Sequence, residues 1–431
     1  MTALKNILLA ACISVASAAS AETWSLDSCV NYAIAHNINV QTRLLQEENG
    51  RLSVTEAKDR FLPTVSAYGS QSFSFGRGLT AENTYANRNT SSFSVGANLN
   101  LPIFQGLAGI RRLKYEKASL RALLEQTEAA KDDVTLNVIT QYLQALYAGE
   151  LLQVARERLN ISTAELARRQ ALLEAGKIPE LDIYEARSQV SQDELNLVNC
   201  TNDSVIALLD LAQLLNLPSA EGFAIEPLGD SEMPLLSPEE VWANACERNH
   251  TLRAGRFEAE AAEKNVALAK TGYIPTISFS AGLGTNYYKT SGFTNENFSQ
   301  QMRHNFAKQL GFSISLPIFD AFGTRNSVRR ANVQVHNARL QLDDSRQRIY
   351  KAIVQAYTQA KAAHAKRDAA TVAVESSRAA FDAMKVKFDN GRATPTEYER
   401  TRSEYTNSLA ESVQAKYEAI LRARILLFYN R

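Results

Sequence analysis

The sequence predicts an α+β membrane protein, a duplicated half-repeat giving four transmembrane β-strands per chain together with long coiled-coil helices. Three observations carry this expectation. Short motifs recur once at a nearly fixed offset, two pairs of segments alternate apolar with small polar residues, and two stretches of about seventy residues contain no proline.

The bulk composition narrows the classes. Of 431 residues, 45% are hydrophobic and 22% charged, and Lys+Arg 47 against Asp+Glu 46 leaves a net charge of +1. Nucleic-acid affinity rests on neutralising phosphates, so a chain with no basic field has no nucleic acid as its main partner. Beyond the N-terminus no run approaches the roughly 20 apolar residues of a membrane-spanning helix. A membrane β-barrel is compatible with this composition, because alternating strands average out to a soluble-looking chain.

Residues 1–21 read as a signal peptide. Lys5 opens a basic region, Ile7 to Val15 is almost wholly apolar, and Ala19-Ser20-Ala21 gives the small-x-small cleavage pattern before Glu22. Leu9-Ala10-Ala11-Cys12 also fits a lipoprotein box with Cys12 lipidated. The apolar run continuing past Cys12 favours cleavage after Ala21. That leaves Cys29, Cys200 and Cys246, an odd number without CxxC spacing, which is neither a disulfide framework nor a zinc site. They read as buried small hydrophobes; a Cys29–Cys246 disulfide stays open because the two lie on equivalent segments.

The duplication is visible residue by residue. Phe61-Leu62-Pro63-Thr64-Val65-Ser66 matches Tyr273-Ile274-Pro275-Thr276-Ile277-Ser278, and Leu101-Pro102-Ile103-Phe104 matches Leu316-Pro317-Ile318-Phe319. Nearly the same spacing pairs Ala33 and Asn37 with Ala245 and Asn249, Tyr142 with Tyr357, Gly176 with Gly391, and Arg187-Ser188 with Arg402-Ser403. So long a period marks a duplicated half-molecule, not a solenoid unit. Residues 22–217 form the first repeat and 239–431 the second. Between them, 218–238 holds Pro218, Pro227, Pro234 and Pro238 with two glycines and reads as a linker. The other prolines pair as Pro63 with Pro275, Pro102 with Pro317, and Pro179 with Pro395.

Each half is expected to run short helix, medium helix, two strands, very long helix, tight turn, long helix. Strands are placed at about 64–76, 91–103, 276–288 and 307–318. In them Phe93, Val95, Ala97, Leu99 and Leu101 alternate with Ser94, Gly96, Asn98 and Asn100, while Ile277, Phe279, Ala281 and Leu283 alternate with Ser278, Ser280, Gly282 and Gly284. About ten residues, apolar on one face and small and polar on the other, suit a tilted strand between lipid and a watery lumen. A soluble sandwich also alternates but needs about seven strands, and here four occur as hairpins inserted between helices. The polar segments Gly76–Ser91 and Asn286–His304 read as long exposed loops.

From about Leu107 to Glu174 and from Phe322 to Asn390 the helical pattern is unbroken, on the order of 100 Å at 1.5 Å per residue. Apolar residues recur at sevens, Val138, Ala145, Leu152, Leu159, Leu166 and Leu173, then Leu342, Ile349, Ala356, Ala363 and Ala370, which marks a coiled-coil seam. Gly176 and Gly391 supply left-handed caps, and Pro179 and Thr394-Pro395 open the return helices. Four strands cannot close in lipid, where the smallest barrels need about eight. Two copies would give eight strands with a filled lumen; three would give twelve with an open one. The glycines and serines of the inner face favour three.

Taken together, the repeated proline-bounded strand motif, the Leu-Pro-Ile-Phe motifs with a following glycine (Leu101 to Gly106; Leu316 to Gly323) and the tips Gly176-Lys177 and Gly391-Arg392 resemble the TolC-type outer-membrane efflux proteins. The resemblance covers essentially the whole mature chain. It implies a homotrimer in the outer membrane of a Gram-negative bacterium, with one 12-stranded barrel among outer-membrane lipid and a periplasmic α-barrel. Its implied partners are a periplasmic adaptor and, indirectly, an inner-membrane transporter, in tripartite efflux or type I secretion.

In that family acidic side chains one to two turns past the second tip glycine narrow the closed entrance. Glu397 and Arg400 occupy those places here, so the second departs from the pattern, and Asp182 and Glu185 are their counterparts in the first hairpin. An electrostatic latch between Glu397 and Arg400 of neighbouring chains is one reading; ordinary helix-surface charge is the other. Gly176, Lys177, Gly391 and Arg392 are the implied adaptor contacts, and the glycines serve as caps in either case. For catalysis the sequence offers little. His36, His250, His304, His336 and His364 are scattered, and no GxSxG, HExxH or P-loop occurs, so no catalytic residue, cofactor or metal is expected. A periplasmic coiled-coil scaffold with a soluble β cap is the alternative to a duct.

Overall fold

The computed structural model of the protein describes residues 23–79, 83–219, 222–229, 234–291 and 293–430. The expected signal peptide 1–21, with Cys12, lies outside the described residues, as do 220–221 and 230–233 of the expected linker.

The first half runs Thr23–Trp24 (β1), Leu26–His36 (α1), Ile38–Asp59 (α2), Thr64–Ser74 (β2), Arg77–Leu79 (β3), Tyr85–Asn87 (β4), Thr90–Gln105 (β5), Ala108–Glu174 (α3) and Glu180–Leu214 (α4). The second runs Ala224–Ile225 (β6), Pro238–Arg248 (α5), His250–Ala269 (α6), Thr276–Thr290 (β7), Phe298–His304 (α7), Ala307–Ser315 (β8), Gly323–Asp389 (α8) and Pro395–Tyr429 (α9). The repeated asparagines have a structural cause. Asn37 and Asn249 end α1 and α5 in extended conformation, with their N–H groups bonded to Ala33 and Ala245 carbonyls. Their side-chain oxygens then accept from Asn39 N–H and Leu252 N–H at the start of the next helix. One residue type thus closes a helix and opens another.

By its packing the chain divides into two compact units, and neither is one of the sequence repeats. The first comprises Met1–Leu45, Gln126–Leu252 and Ser345–Arg431; the second comprises Gln46–Glu125 and Arg253–Asp344. The first unit is helical around a core in which Cys29, Ala33, Val40, Val138, Leu211 and Leu215 are fully buried. Each such valine or leucine side chain removed from water contributes about 1.5–3 kcal/mol. The linker contributes here too, for β6 pairs in parallel with β1. The Tyr142 hydroxyl seals the junction, 3.0 Å from the Trp24 carbonyl and 2.6 Å from that of Glu226. Burial pushes its pKa up to about 12.

Cys29, Cys200 and Cys246 are not disulfide-bonded, so the Cys29–Cys246 disulfide does not form. Cys29 is packed into the core around Tyr142, whereas Cys246 lies on α5, whose buried residues Val241 and Ala245 belong to a separate cluster with Ile353 and Leu426.

The second unit holds one four-stranded antiparallel sheet of order β2-β5-β7-β8. Its register sorts the side chains into two faces. Val65, Leu99, Ala281 and Leu310 stand in one row across all four strands, and Leu101, Phe279 and Phe312 form the next. On the other face Ser66, Asn98, Gly282 and Gln309 form a row, and Ser278 pairs with Ser313. Phe279 and Phe312 rings lie 5.1 Å apart on the apolar face, while one residue away the Ser278 and Ser313 hydroxyls bond at 2.7 Å on the polar face. Along the edge strands the apolar face is bare: Val65 on β2 and Leu310, Phe312 and Ile314 on β8 are each more than 70% exposed. No helix among the described residues is long and apolar enough to cross a membrane.

Two expected equivalences shift. The glycines that follow the Leu-Pro-Ile-Phe motifs do different work. Gly106 and Leu107 make a left-handed two-residue turn (φ +59 and +66), and their counterparts are Ala321 and Phe322 (φ +50 and +64), whereas Gly323 is the first residue of α8. Likewise Pro179 is an N-cap, the place of Thr394, while Pro395 stands at the first helical turn. Proline is compatible with both positions because neither has to donate its N–H within the helix, so the pair survives in sequence though displaced by one residue.

Candidate functional site: the two helical tips

Both tips are Schellman caps. Gly176 and Gly391 each have φ +68, which lets the chain reverse without a Cβ penalty. Lys177 N–H bonds the Leu172 carbonyl and Gly176 N–H that of Leu173; Arg392 and Gly391 repeat this on Lys387 and Phe388. A Cβ at either glycine would meet nothing within 4 Å, so both turns face open space. Their glycines are fixed by backbone conformation, and Lys177 and Arg392 are exposed at the apex.

The return helices start differently. At the second tip Thr394 and Glu397 form a capping box. The Glu397 carboxylate accepts from both the N–H and the hydroxyl of Thr394 at 2.8 Å, and the threonine hydroxyl accepts from Glu397 N–H at 3.3 Å. These bonds, with Arg400 a lesser influence, hold Glu397 below the usual glutamate range. At the first tip the cap is Pro179, with neither hydroxyl nor N–H, so Asp182 has no reciprocal bond to make. Asp182 instead lends its backbone carbonyl to Arg169 at 3.3 Å. Glu185 is exposed on α4. Arg400 does not meet Glu397 through a salt bridge within the chain. It lies 3.6 Å from Glu404, one turn on, with both side chains largely in solvent.

Behind the tips lies a feature the sequence reading missed. Asp193 on α4 and Arg402 on α9 are each 1% exposed and approach to 3.5 Å. Asp193 also accepts from Arg158 at 2.7 Å and from Gln189 at 3.0 Å. Arg402 reaches Glu399 at 3.0 Å, Glu399 lies 3.4 Å from Arg169, and Arg169 donates to Glu165 at 2.9 Å. Arg168 continues the chain to Asp389 at 3.1 Å. Four arginines thus face four carboxylates across α3, α4, α8 and α9. Alongside, Phe388 stacks on Tyr398 and Phe381 on Tyr405, locking α8 to α9. Burial pushes the Tyr398 hydroxyl up to about 12. A groove of about 470 Å³ opens over this layer, lined by Glu165, Arg168, Phe381, Asp389, Tyr398 and Tyr405.

Comparison with known proteins decides the family. Its profile, described as outer membrane efflux protein, matches residues 29–217 and 241–427, the two repeats almost end to end. The chain belongs to the outer membrane efflux protein family. Membership places it in the outer membrane of a Gram-negative bacterium, and the bare apolar face of its sheet is the part suited to lipid.

Among curated relatives, outer membrane protein TolC of Vibrio cholerae is 22% identical over 286 residues, covering 65% of this chain and 61% of that protein. Fusaric acid resistance protein FusA of Burkholderia cepacia is 27% identical over 252 residues, covering 57% and 46%. The matches thus span about half to three fifths of these relatives' length. A membrane protein of Pseudomonas aeruginosa superposes with a TM-score of 0.78 at 19% identity, covering 94% of this chain and 93% of that one, which shows a shared fold. Among the described residues of this family member no three His, Cys, Asp or Glu side chains converge on a metal-sized site.

Proposed function

We propose that three copies of the chain close into a twelve-stranded outer-membrane barrel continued by a periplasmic helical tunnel, the exit duct of a tripartite efflux or type I secretion system. The observation that carries the reading is the sheet itself. Strands β2 and β8 are its free edges, one face is a continuous apolar row, and an unpaired edge cannot stand in lipid. Pairing β8 of one copy with β2 of the next satisfies both edges and turns the Ser, Asn and Gly face inward. Solute moves passively through that polar lumen.

The periplasmic entrance is formed by the tips, where Asp182, Glu185, Glu397 and Arg400 recur three times around the axis and set the field at the aperture. Gly176, Lys177, Gly391 and Arg392 form the turns that a periplasmic adaptor grips, with the inner-membrane transporter engaged through the adaptor. The names of relatives, the fusaric acid resistance protein among them, support export as the activity. Purification in neutral detergent tests the assembly: a trimer is expected whose β signal survives only while the trimer does, with stepwise conductance in planar bilayers. A stable monomer soluble without detergent would establish the scaffold reading instead.

A further inference from the structure

The loop between β7 and β8 is built, and it is built onto the apolar face. Strand β8 begins at Ala307, opposite Gly284, so among the described residues the rest of β7 has no strand beside it on that edge. Two side-chain amides take its place. Gln301 accepts from Tyr288 N–H at 2.9 Å and donates to the Tyr288 carbonyl at 3.0 Å; Asn295 accepts from Thr290 N–H at 3.0 Å and donates to its carbonyl at 2.9 Å. Helix α7 is thereby clasped to the strand. Its Phe298 ring packs 5.2 Å from Tyr287 and 6.0 Å from Phe93, a registered pair on the same face as Phe279 and Leu99.

That face changes character along the strands. Above Ile314, Phe312 and Leu310 comes Lys308, in register with Leu283 and 5.8 Å from the Phe306 ring. Phe293, Phe298 and Phe306 are each about half exposed, at 48%, 51% and 49%. Residues 286–309 carry Lys289, Arg303 and Lys308 against one carboxylate, Glu296, and Glu296 is paired with His304 at 3.2 Å. The three fixed cations are exposed and have no acidic partner among the described residues. Half-exposed aromatics beside long cations, directly beyond an apolar band, suit the boundary where acyl chains give way to charged headgroups.

We propose that the α7 loop is a docking surface for the phosphate-bearing headgroups of the outer leaflet, with Arg303 and Lys308 as phosphate ligands and Phe298 and Phe306 seated at the acyl boundary. The inference rests on the outer-membrane barrel reading, with the helical part periplasmic, and its test is separate from the test of assembly.

The full-length protein in neutral detergent is titrated with bisphosphorylated lipid A in mixed micelles, and retained lipid is counted by native mass spectrometry. The parent is expected to bind it saturably, with affinity at least tenfold above that for the dephosphorylated glycolipid and falling as salt rises. The Arg303→Gln/Lys308→Gln variant, still trimeric, is expected to lose that tenfold preference. Equal binding by parent and variant, or indifference to the phosphates, overturns the proposal. So does saturation by inorganic phosphate alone at the same concentration, which would make this a site for a soluble anion. Should the double variant not assemble, the parent's own salt dependence decides: binding unchanged between low and high salt overturns the proposal as well.

Discussion

Glu397 and Glu399 stand two residues apart on one helix and are driven in opposite directions. Glu397 is tied to the helix start by the Thr394 N–H and hydroxyl, which lower its pKa from the ordinary 4.5. Glu399 turns into the buried charge layer, where desolvation raises its pKa against the opposing pull of Arg402 and Arg169.

Opposite shifts give opposite pH dependence. For Glu399 the folded state holds the proton more tightly, so its contribution to stability is greatest below about pH 4.5 and falls as pH rises through its raised pKa. For Glu397 the contribution is present above about pH 4.5 and is lost as pH falls through its lowered pKa. Thermal unfolding across acidic to neutral pH checks this. The parent's advantage over Glu399→Gln should shrink with rising pH, and its advantage over Glu397→Gln should grow. Parallel trends would mean that one carboxylate is not in the environment described.

The buried layer makes a sharper demand on stability. Removing one partner from a desolvated ion pair strands the other, at a cost of about 3–5 kcal/mol. Arg402→Met should cost less than that, about 1–3 kcal/mol, because Asp193, 1% exposed, keeps Arg158 at 2.7 Å and Gln189 at 3.0 Å while Glu399 loses its nearest cation. Arg187→Met, at the equivalent place of the first repeat but exposed, should change stability little. Denaturant midpoints followed by helical circular dichroism compare the two; similar small losses would show that Arg402 is solvated.

A third expectation concerns the turn between strand and long helix. Ala321 holds φ +50 where its counterpart is Gly106, and a left-handed non-glycine residue costs roughly 1–2 kcal/mol. Ala321→Gly should therefore stabilise by about 1 kcal/mol after glycine's greater freedom in the unfolded chain is offset. Gly106→Ala should destabilise, since its Cβ would come within 3.0 Å of Ile274 Cβ and 3.1 Å of its carbonyl oxygen. Melting temperatures that move the same way in both variants would contradict the equivalence of these turns.

These cases also show where the sequence was legible. Alternation and heptads follow from burial against lipid or a neighbouring helix, so Phe279, Val138 and Ala356 could be assigned from spacing alone. The left-handed tips were legible because only glycine is comfortable there. Arg402, Asp193, Arg169 and Glu165 were not, because charge defaults to solvent and only packing buries charges from three helices side by side. Their signal was faint: Glu165 and Arg169 one turn apart, and an Arg187–Arg402 repeat whose two members have opposite exposures. Ala321 hid for the same reason, since no side chain announces a positive φ that glycine is absent to fill.

The faces of the sheet make the fourth prediction. Phe279 and Leu99 lie on the apolar face and Ser278 and Asn98 on the other. Arginine at Phe279 or Leu99 should cost about 2–4 kcal/mol near mid-bilayer. Arginine at Ser278 or Asn98 should fold and alter single-channel conductance and ion selectivity. Equal folding yields for the two sets would mean that the apolar face does not meet lipid.

The last prediction concerns the aperture. An exposed i,i+4 pair contributes little in water, so Glu404 does not immobilise Arg400, which remains able to meet an acidic residue on a neighbouring copy. Glu397 is the weaker choice of partner, because its carboxylate already closes the capping box and its reversal would remove the cap along with any latch. Asp182 and Glu185 carry no such duty. In a narrow threefold ring, charges are screened less than on open surface, so Arg400→Ala should leave carboxylates repelling one another and raise conductance in planar bilayers at low ionic strength, with the increase fading at high salt. Glu185→Arg combined with Arg400→Glu should restore closure if their attraction is the latch. If Arg400→Ala conducts like the parent at both ionic strengths, Arg400 is solvated helix surface and the aperture is held elsewhere.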